Sequence, residues 1–198
     1  EHLAANLGVA RLTGEADASL RARAQLALEA YSVAGPQGAY YFHTLTADAH
    51  VKHAHVTSPQ AGDVQVTVLS NQGNGAPTAA LLNTVEDRLN DKRIRPLTDR
   101  VFVQGATIIP YSVTARLIIE DGPDPEIARA AAEAACRFYA DGRRLLGRDI
   151  TRSGLLGALH AVGVTNVLLD APAADVPVNF TQAGFMSAIS VTVEATGV

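Results

Sequence analysis

The segment VLSNQGNGAPTAALL, residues 68–82, contains the order of elements on which the interpretation of the fold depends. Apolar residues end a strand, a loop with two glycines follows, and a proline and a threonine precede an amphipathic helix. Two kinds of protein share this order. In nucleotide-binding enzymes the loop holds a phosphate, whereas in many other folds it only turns the chain from strand to helix.

The loop lacks the residues that a phosphate site requires. A P-loop has a lysine directly after its last glycine, whereas Ala76, Pro77 and Thr78 follow Gly75 here. A dinucleotide-binding loop needs a third glycine at the position of Thr78. Pro77 also removes a backbone N–H from the helix start, where a phosphate needs a donor. We therefore expect Gly73 and Gly75 to supply positive-φ turn conformations, and their replacement by alanine to cost stability.

The sequence around this loop predicts helices followed by strands. Apolar residues recur at helical spacing before the loop, and every second residue is apolar in the strand that leads into it. The predicted elements of this half are a helix over 17–31 that Asp17 or Ser19 caps, a short helix over 37–47, a hairpin over 51–69 and a helix over 77–90.

The second half repeats these patterns around one long helix. Asp124 and Pro125 form a helix start, because an acidic N-cap precedes a proline in the first turn. Apolar residues then recur at helical spacing, and the helix continues to about residue 146; they are Ile127, Ala131, Ala134 and Phe138. The other predicted elements are an extended region that begins at Val101 and is interrupted near Gly105 and Pro110, a short helix over 151–161, and strands over 164–169 and 187–194.

Together these elements predict an α+β protein made of two small units, each of which packs helices on a mixed or antiparallel sheet. The order helix, short helix, strand, strand occurs at 17–69 and again at 125–194. We expect residues 1–14 to be a lead-in segment, 15–96 to form the first unit and 97–198 to form the second.

Composition excludes several functional classes. The 198 residues are 47% hydrophobic and 18% charged, which is enough apolar material for a real core. The net charge of −4 gives no basic character for holding nucleic acid or a membrane surface. No apolar run approaches the roughly 20 residues that cross a bilayer. Cys136 is the only cysteine, so we expect a buried, inert thiol, no disulfide and a reducing compartment.

Three histidines in the sequence AHVKHAHV, residues 49–56, suggest a metal site. On a strand His53 and His55 point the same way, and His50 precedes them in a turn. No Asp, Glu or Cys follows at ligand spacing, and Lys52 adds a positive charge. We therefore expect solvated histidines on an outward strand face, and no metal.

No other constellation indicates catalysis. There is no G-x-S-x-G motif, and Ser153 lies at a helix start, where serine commonly caps. The neighbouring acids Glu86 and Asp87 suit a solvated helix face, and Asp121 and Asp124 suit a turn or a cap. A basic run next to a helix end complements the helix dipole or bridges to an acidic partner; it consists of Arg143, Arg144, Arg148 and Arg152. We therefore predict no catalytic, cofactor-binding or metal-binding residue.

Four longer strings occur along the chain: YSVAGPQGAYYFHTLTAD (31–48), SPQAGDVQVTVLS (58–70), RIRPLTDRVFVQGATIIPYSVTARL (93–117) and GRDITRSGLLGALHAVGVTNVLL (147–169). In order and spacing they resemble the baseplate assembly protein J family of contractile-tailed phages and prophages. With the glycine loop and its helix, which lie between the second string and the third, they cover most of residues 15–195.

The resemblance implies structural work and no enzyme activity, cofactor or small-molecule substrate. Such proteins form part of the ring around the central tail hub and join wedge to wedge, so the implied partners are other wedge subunits and further copies of the chain. The implied location is the virion tail baseplate, assembled in the host cytoplasm. The family carries a further N-terminal portion, so we expect that Glu1 is not the natural start.

The leading hypothesis is therefore a structural component of a contractile-tail baseplate, which we expect to oligomerise weakly or not at all on its own. The alternative is a small ligand- or metal-binding domain, or an enzyme, that uses the Gly73–Gly75 loop or the strand with His50, His53 and His55.

Overall fold

The computed structural model describes residues 2–31, 36–119 and 124–195. The chain divides into two compact units, Glu1–Thr107 and Ile108–Val198. The helices are α1 (His2–Asn6), α2 (Asp17–Gln25), α3 (Gln37–Leu45), α4 (Ala79–Leu89), α5 (Pro125–Arg143) and α6 (Arg152–Leu159), with a 3₁₀ helix at Ala27–Tyr31. The strands are β1 (Val51–Thr57), β2 (Asp63–Ser70), β3 (Arg100–Gly105), β4 (Thr107–Ile119), β5 (Val164–Ala171) and β6 (Gln182–Ala195). The predicted α+β class is confirmed.

The sheet of the first unit is built on the predicted hairpin. β1 and β2 pair antiparallel, with Ala54 opposite Val68 and Val56 opposite Val66. These four residues are buried and form one core with the apolar face of α4, which comprises Leu81, Val85 and Leu89. Alternating valines thus bury one face of the sheet under a helix, as their period of two requires.

β3 completes this sheet and moves the boundary between the units. It pairs parallel with β2, with Val103 opposite Val66, and α4 makes the crossover between the two strands. The predicted boundary lies between residues 96 and 97, whereas the structure divides into its two units between Thr107 and Ile108. The difference is β3, because a parallel partner is separated from β2 by a whole helix and leaves no local signal.

Helices at the N-terminus add a smaller core to the first unit. Residues 1–14, predicted as a lead-in segment, contain α1, and Ala4 and Val9 pack with Leu20, Ala27 and Phe42. The helix predicted over 17–31 is α2 followed by the 3₁₀ turn. The N-cap of α2 is Ala16, which makes no side-chain capping bond, so neither Asp17 nor Ser19 caps the helix.

The sheet of the second unit has β4 at its centre, flanked by β5 and β6. β4 pairs antiparallel with β5, with Leu117 opposite Val167. The interruption predicted near Pro110 is wrong at that residue, because Pro110 lies inside β4 as an exposed residue. The extended region is divided instead after Gly105, between strands of different sheets.

α5 begins as predicted but faces the core with different residues. Asp124 caps it by accepting a hydrogen bond from Glu126 N at 2.9 Å, and Pro125 occupies the first turn. Its buried residues are Ala128, Ala132, Cys136 and Ala140. Small side chains let this helix approach the sheet closely. The apolar residues predicted to face the core lie on the opposite side of the helix, where Ile127 is 69% exposed and Phe138 is 83% exposed.

Short elements complete the second unit. α6 is capped by Thr151, whose hydroxyl accepts from Gly154 N at 3.2 Å, so Ser153 is not the cap. Within the part of the chain that the structure describes, no helix combines the length and the apolar character needed to cross a bilayer.

Candidate functional site

The loop between β2 and α4 has the geometry of a turn. Gly73 and Gly75 have φ values of +52° and +105°, the left-handed region in which glycine is favoured. Four backbone N–H groups of the loop donate to neighbouring protein oxygens: Asn71 to His50 O, Gln72 to Ser70 Oγ, Gly75 to Gln72 O and Ala76 to Asn74 Oδ1, at 2.9–3.0 Å. A phosphate cradle needs amides that point at the ligand, whereas these amides donate to oxygens of the turn and of His50.

A cavity of about 340 Å³ lies beside this loop, at the start of α4. Asp48 and His50 line it, and His50 Nδ1 lies 2.7 Å from Asp48 Oδ1. On the helix side, Leu81 N donates to the hydroxyl of Thr78 at 3.2 Å. An anion in this cavity would meet a carboxylate and a helix start that is already capped, so the geometry does not favour phosphate.

The structure does not bring the three histidines together as metal ligands. His53 and His55 share one face of β1, as expected from their spacing, opposite Leu69 and Thr67 of β2. The ring of His53 contacts Tyr41 edge to face, with centroids 5.9 Å apart. Across residues 2–31, 36–119 and 124–195, no group of three His, Cys, Asp or Glu side chains is placed to hold a metal ion.

The arginine run after α5 ties loops within the second unit. Arg143, in the last turn of α5, donates to Asp149 O through Nε at 3.2 Å and through a terminal nitrogen at 2.9 Å. Arg152 donates to the backbone oxygens of Leu169, at 2.9 Å, and Pro172. These contacts stabilise the segment that connects α5 to α6 and β5, whereas Arg148 is exposed.

The cysteine and the neighbouring acidic residues occupy core, surface and helix-cap positions. Cys136 is fully buried in the core of the second unit, and burial raises the pKa of its thiol to about 11, so it stays protonated at neutral pH. Glu86 and Asp87 are exposed on α4, as a solvated helix face requires. Asp124 is a cap, and Asp121 lies outside the described residues.

Sequence reasoning missed a buried ion pair in the first unit. Arg23 donates to the two carboxylate oxygens of Glu15 at 2.6 and 2.7 Å and also to Ala10 O at 2.8 Å. The side chains of Arg23 and Glu15 are 3% and 1% exposed. Burial raises the pKa of Glu15, but the hydrogen bonds from Arg23 and from Leu12 N, together with nearby arginine charge, outweigh it and leave the pKa below its usual value. The one available signal was an arginine three residues after Leu20 on an otherwise apolar helix face.

Sheet edges are the other candidate interaction surfaces. β1 and β3 are the outer strands of the first sheet, and β5 and β6 are those of the second. The segment of β6 from Gln182 to Val193 contains no charged residue and no proline. Charges and prolines are common means by which proteins prevent strand addition at an edge, so β6 suits pairing with another chain.

Two parts of known sequence space resemble this chain: a protein-family model and a curated protein. Residues 32–105 match the family model of the Baseplate J-like central domain. Baseplate protein J of Escherichia phage P2 is 44% identical over 171 residues, which cover 86% of this chain. The chain is similar to phage baseplate protein J over most of its length. The resemblance carried by the four strings is therefore confirmed.

The two matches differ in how much of the chain they cover. The central-domain match ends at Gly105, the last residue of β3, so it contains the whole sheet of the first unit. The match to the phage P2 protein is longer than the first unit and extends into the second. The chain spans 57% of the length of that relative.

Proposed function

We propose that this chain is part of a structural component of the baseplate of a contractile phage or prophage tail, and that it forms wedge and ring contacts during tail assembly. The observation that carries the proposal is the 44% identity with baseplate protein J of phage P2. The central-domain match over residues 32–105 agrees with it.

The fold suits this role physically. A baseplate subunit needs small rigid units with surfaces that bind neighbours, more than it needs one deep pocket. Each unit here packs helices on a three-stranded sheet and leaves two outer strands at its edges. Arginines fixed by backbone oxygens, such as Arg143 and Arg152, stiffen the loops between elements.

The partners that we propose are other wedge subunits and further copies of the chain, with no nucleic acid, membrane or small-molecule substrate. The protein is not an enzyme and needs no cofactor. It resides in the virion tail baseplate after assembly in the host cytoplasm.

Deletion of the gene from the phage or prophage that encodes it tests the role. We expect that the deletion leaves tail parts without a complete baseplate in electron micrographs, and that supplying the gene in trans restores complete tails. Infectious particles of normal morphology from the deletion strain would contradict the proposal.

Two variants separate this role from the ligand-binding alternative. In the complementation assay, Gly73→Ala and the double variant His53→Gln with His55→Gln should restore complete tails if no ligand site is involved. Thermal unfolding of the purified chain with ATP or zinc provides a second test. We expect no shift, whereas a rise of several degrees that saturates at micromolar ligand would favour the alternative.

A further inference from the structure

The outward face of α5 is apolar along three turns of the helix. At about 100° per residue, Ile127, Ala131, Ala134 and Phe138 lie directly opposite the buried residues from Ala128 to Ala140. All four are exposed, Ile127 to 69% and Phe138 to 83%. We call these four residues the outer stripe. A helix that is apolar on two opposite faces has one face that its own fold does not bury.

The outer stripe has the symmetry that contact with a second copy requires. Its order is large, small, small, large, and it is unchanged when the helix direction is reversed. In an antiparallel pair, Ile127 meets Phe138 of the second copy, and Ala131 meets Ala134 of the second copy. A two-fold interface must be self-complementary in this way, and the two alanines at its centre let the helices approach closely.

Charges beside the outer stripe have the same complementarity. Glu126, Glu133 and Arg137 lie along one flank of the stripe, about 90–130° from its centre. In an antiparallel pair each flank meets the same flank of the other helix, so Glu126 lies near Arg137 of the second copy, and Arg137 lies near its Glu126. Antiparallel helix dipoles add to the attraction.

Glu126 and Arg137 differ in how closely they are held by partners on their own helix. Arg129 bridges Glu126 at 2.8 Å and Glu133 at 2.7 Å, so one arginine serves two carboxylates. Arg137 lies 4.0 Å from Glu133 and its side chain is 60% exposed, so it makes only a long contact on its own helix. A second copy therefore supplies Glu126 with a further cation and Arg137 with a closer anion.

We propose that the outer stripe of α5 binds the outer stripe of a second copy of the chain, antiparallel and about a two-fold axis. The proposal rests on α5 alone and stands whether or not the chain is a baseplate component. A two-fold contact closes at two copies, so in a ring it joins pairs and other surfaces must connect one pair to the next.

Sedimentation equilibrium of the 198-residue chain tests for the contact. One helix pair buries less than the roughly 1,600 Å² of a standard interface, so we expect a monomer–dimer equilibrium between about 10 µM and about 1 mM. Phe138→Glu should abolish the dimer. Because Phe138 is 83% exposed, this variant should retain the circular dichroism spectrum and Tm of the original chain. A chain that stays monomeric at about 1 mM would overturn the proposal.

A charge exchange tests the antiparallel arrangement. Glu126→Arg alone and Arg137→Glu alone each place like charges opposite one another, and each should weaken the dimer by about tenfold, which corresponds to 1.4 kcal/mol. An equimolar mixture of the two variants restores both opposite-charge contacts and should dimerise within about threefold of the original chain. Simple destabilisation of the fold cannot produce this rescue.

The matched control is Glu86→Arg, the same charge change at an exposed position of α4. It should leave the dimer unchanged. A mixture no stronger than either single variant would overturn the antiparallel contact, as would equal weakening by Glu86→Arg.

Discussion

The two units share an order of elements and differ in how their strands pair. In the first unit the two strands after the helices form a hairpin, and β3 joins it parallel after a crossover helix. In the second unit the corresponding strands β5 and β6 are not neighbours, because β4 lies between them. Similar local patterns thus produce similar elements in the two units. In each unit a strand outside the repeated order, β3 or β4, determines which strands form the edges of the sheet.

The cores of the units differ as well. The buried polar and charged residues of the described chain all lie in the first unit; they are Glu15, Arg23, Thr44, Thr67 and Ser70. The core of the second unit is built around the small buried residues of α5. The first unit should therefore be sensitive to loss of charge partners, and the second to added volume.

Removal of one charge should produce the largest effect. Arg23→Met leaves the carboxylate of Glu15 buried without its partner, and we expect a loss of about 3–5 kcal/mol in the stability of the first unit. Urea unfolding followed by circular dichroism measures it. The double variant Glu15→Leu with Arg23→Met is the control, and it should recover most of the loss. A double variant as unstable as the single one would show that the packing of Arg23 matters more than its charge.

A larger side chain in the core of the second unit tests the expected sensitivity of that unit to added volume. Ala132 is fully buried on α5, so Ala132→Leu should destabilise the second unit by about 1–3 kcal/mol. The matched control is Ala131→Leu, one residue along the same helix and exposed, which should change stability by no more than about 0.5 kcal/mol. Equal effects of the two substitutions in urea unfolding would contradict the assigned orientation of α5.

The glycines of the loop should have smaller effects. Gly75 has a φ of +105°, outside the left-handed helical well near +57°, so Gly75→Ala should cost about 2 kcal/mol. Gly73 has a φ of +52° and nothing within 4 Å of an added Cβ, so Gly73→Ala should cost about 1 kcal/mol. Thermal unfolding measures both, and the reverse order would contradict the turn geometry.

The smallest expected effect is the pH dependence of Glu15. Its pKa is lowered in the folded state, so its contribution is present in full above its unfolded value of about 4.3 and is lost as pH falls through the folded value. The original chain should therefore lose stability below about pH 4.3 more steeply than the double variant Glu15→Leu with Arg23→Met. Parallel pH profiles from urea unfolding would show that Glu15 keeps its ordinary pKa.

Local patterns predicted the elements that local chemistry determines. The hairpin that begins at Val51 and the cap at Asp124 agree with the structure, since alternation and an acid before proline act over a few residues. The structure includes β3 in the first unit, beyond the predicted boundary, because the pairing of β3 with β2 depends on contacts across α4. The pair of Arg23 with Glu15 was missed for a related reason, since its burial arises from tertiary packing.

The face of α5 that packs on the sheet could not be predicted from the sequence, for a different reason. Ile127 and Phe138 recur at helical spacing, yet the core contacts the alanines and Cys136 on the opposite side. Periodicity identifies a helix with two apolar faces and does not determine which face its own sheet covers. In the candidate site, the missing lysine and third glycine were visible in the sequence, whereas the use of the loop amides within the turn was not.

The central claim, that this chain is a baseplate component, is tested most directly by locating the protein in assembled particles. An epitope tag on the protein that carries this chain, detected with gold-labelled antibody on purified phage or tail particles, gives its position by electron microscopy. We expect label at the end of the tail distal to the head, with none along the sheath. Intact particles without label, although the tagged protein is produced and the tag is accessible in lysates, would contradict the assignment.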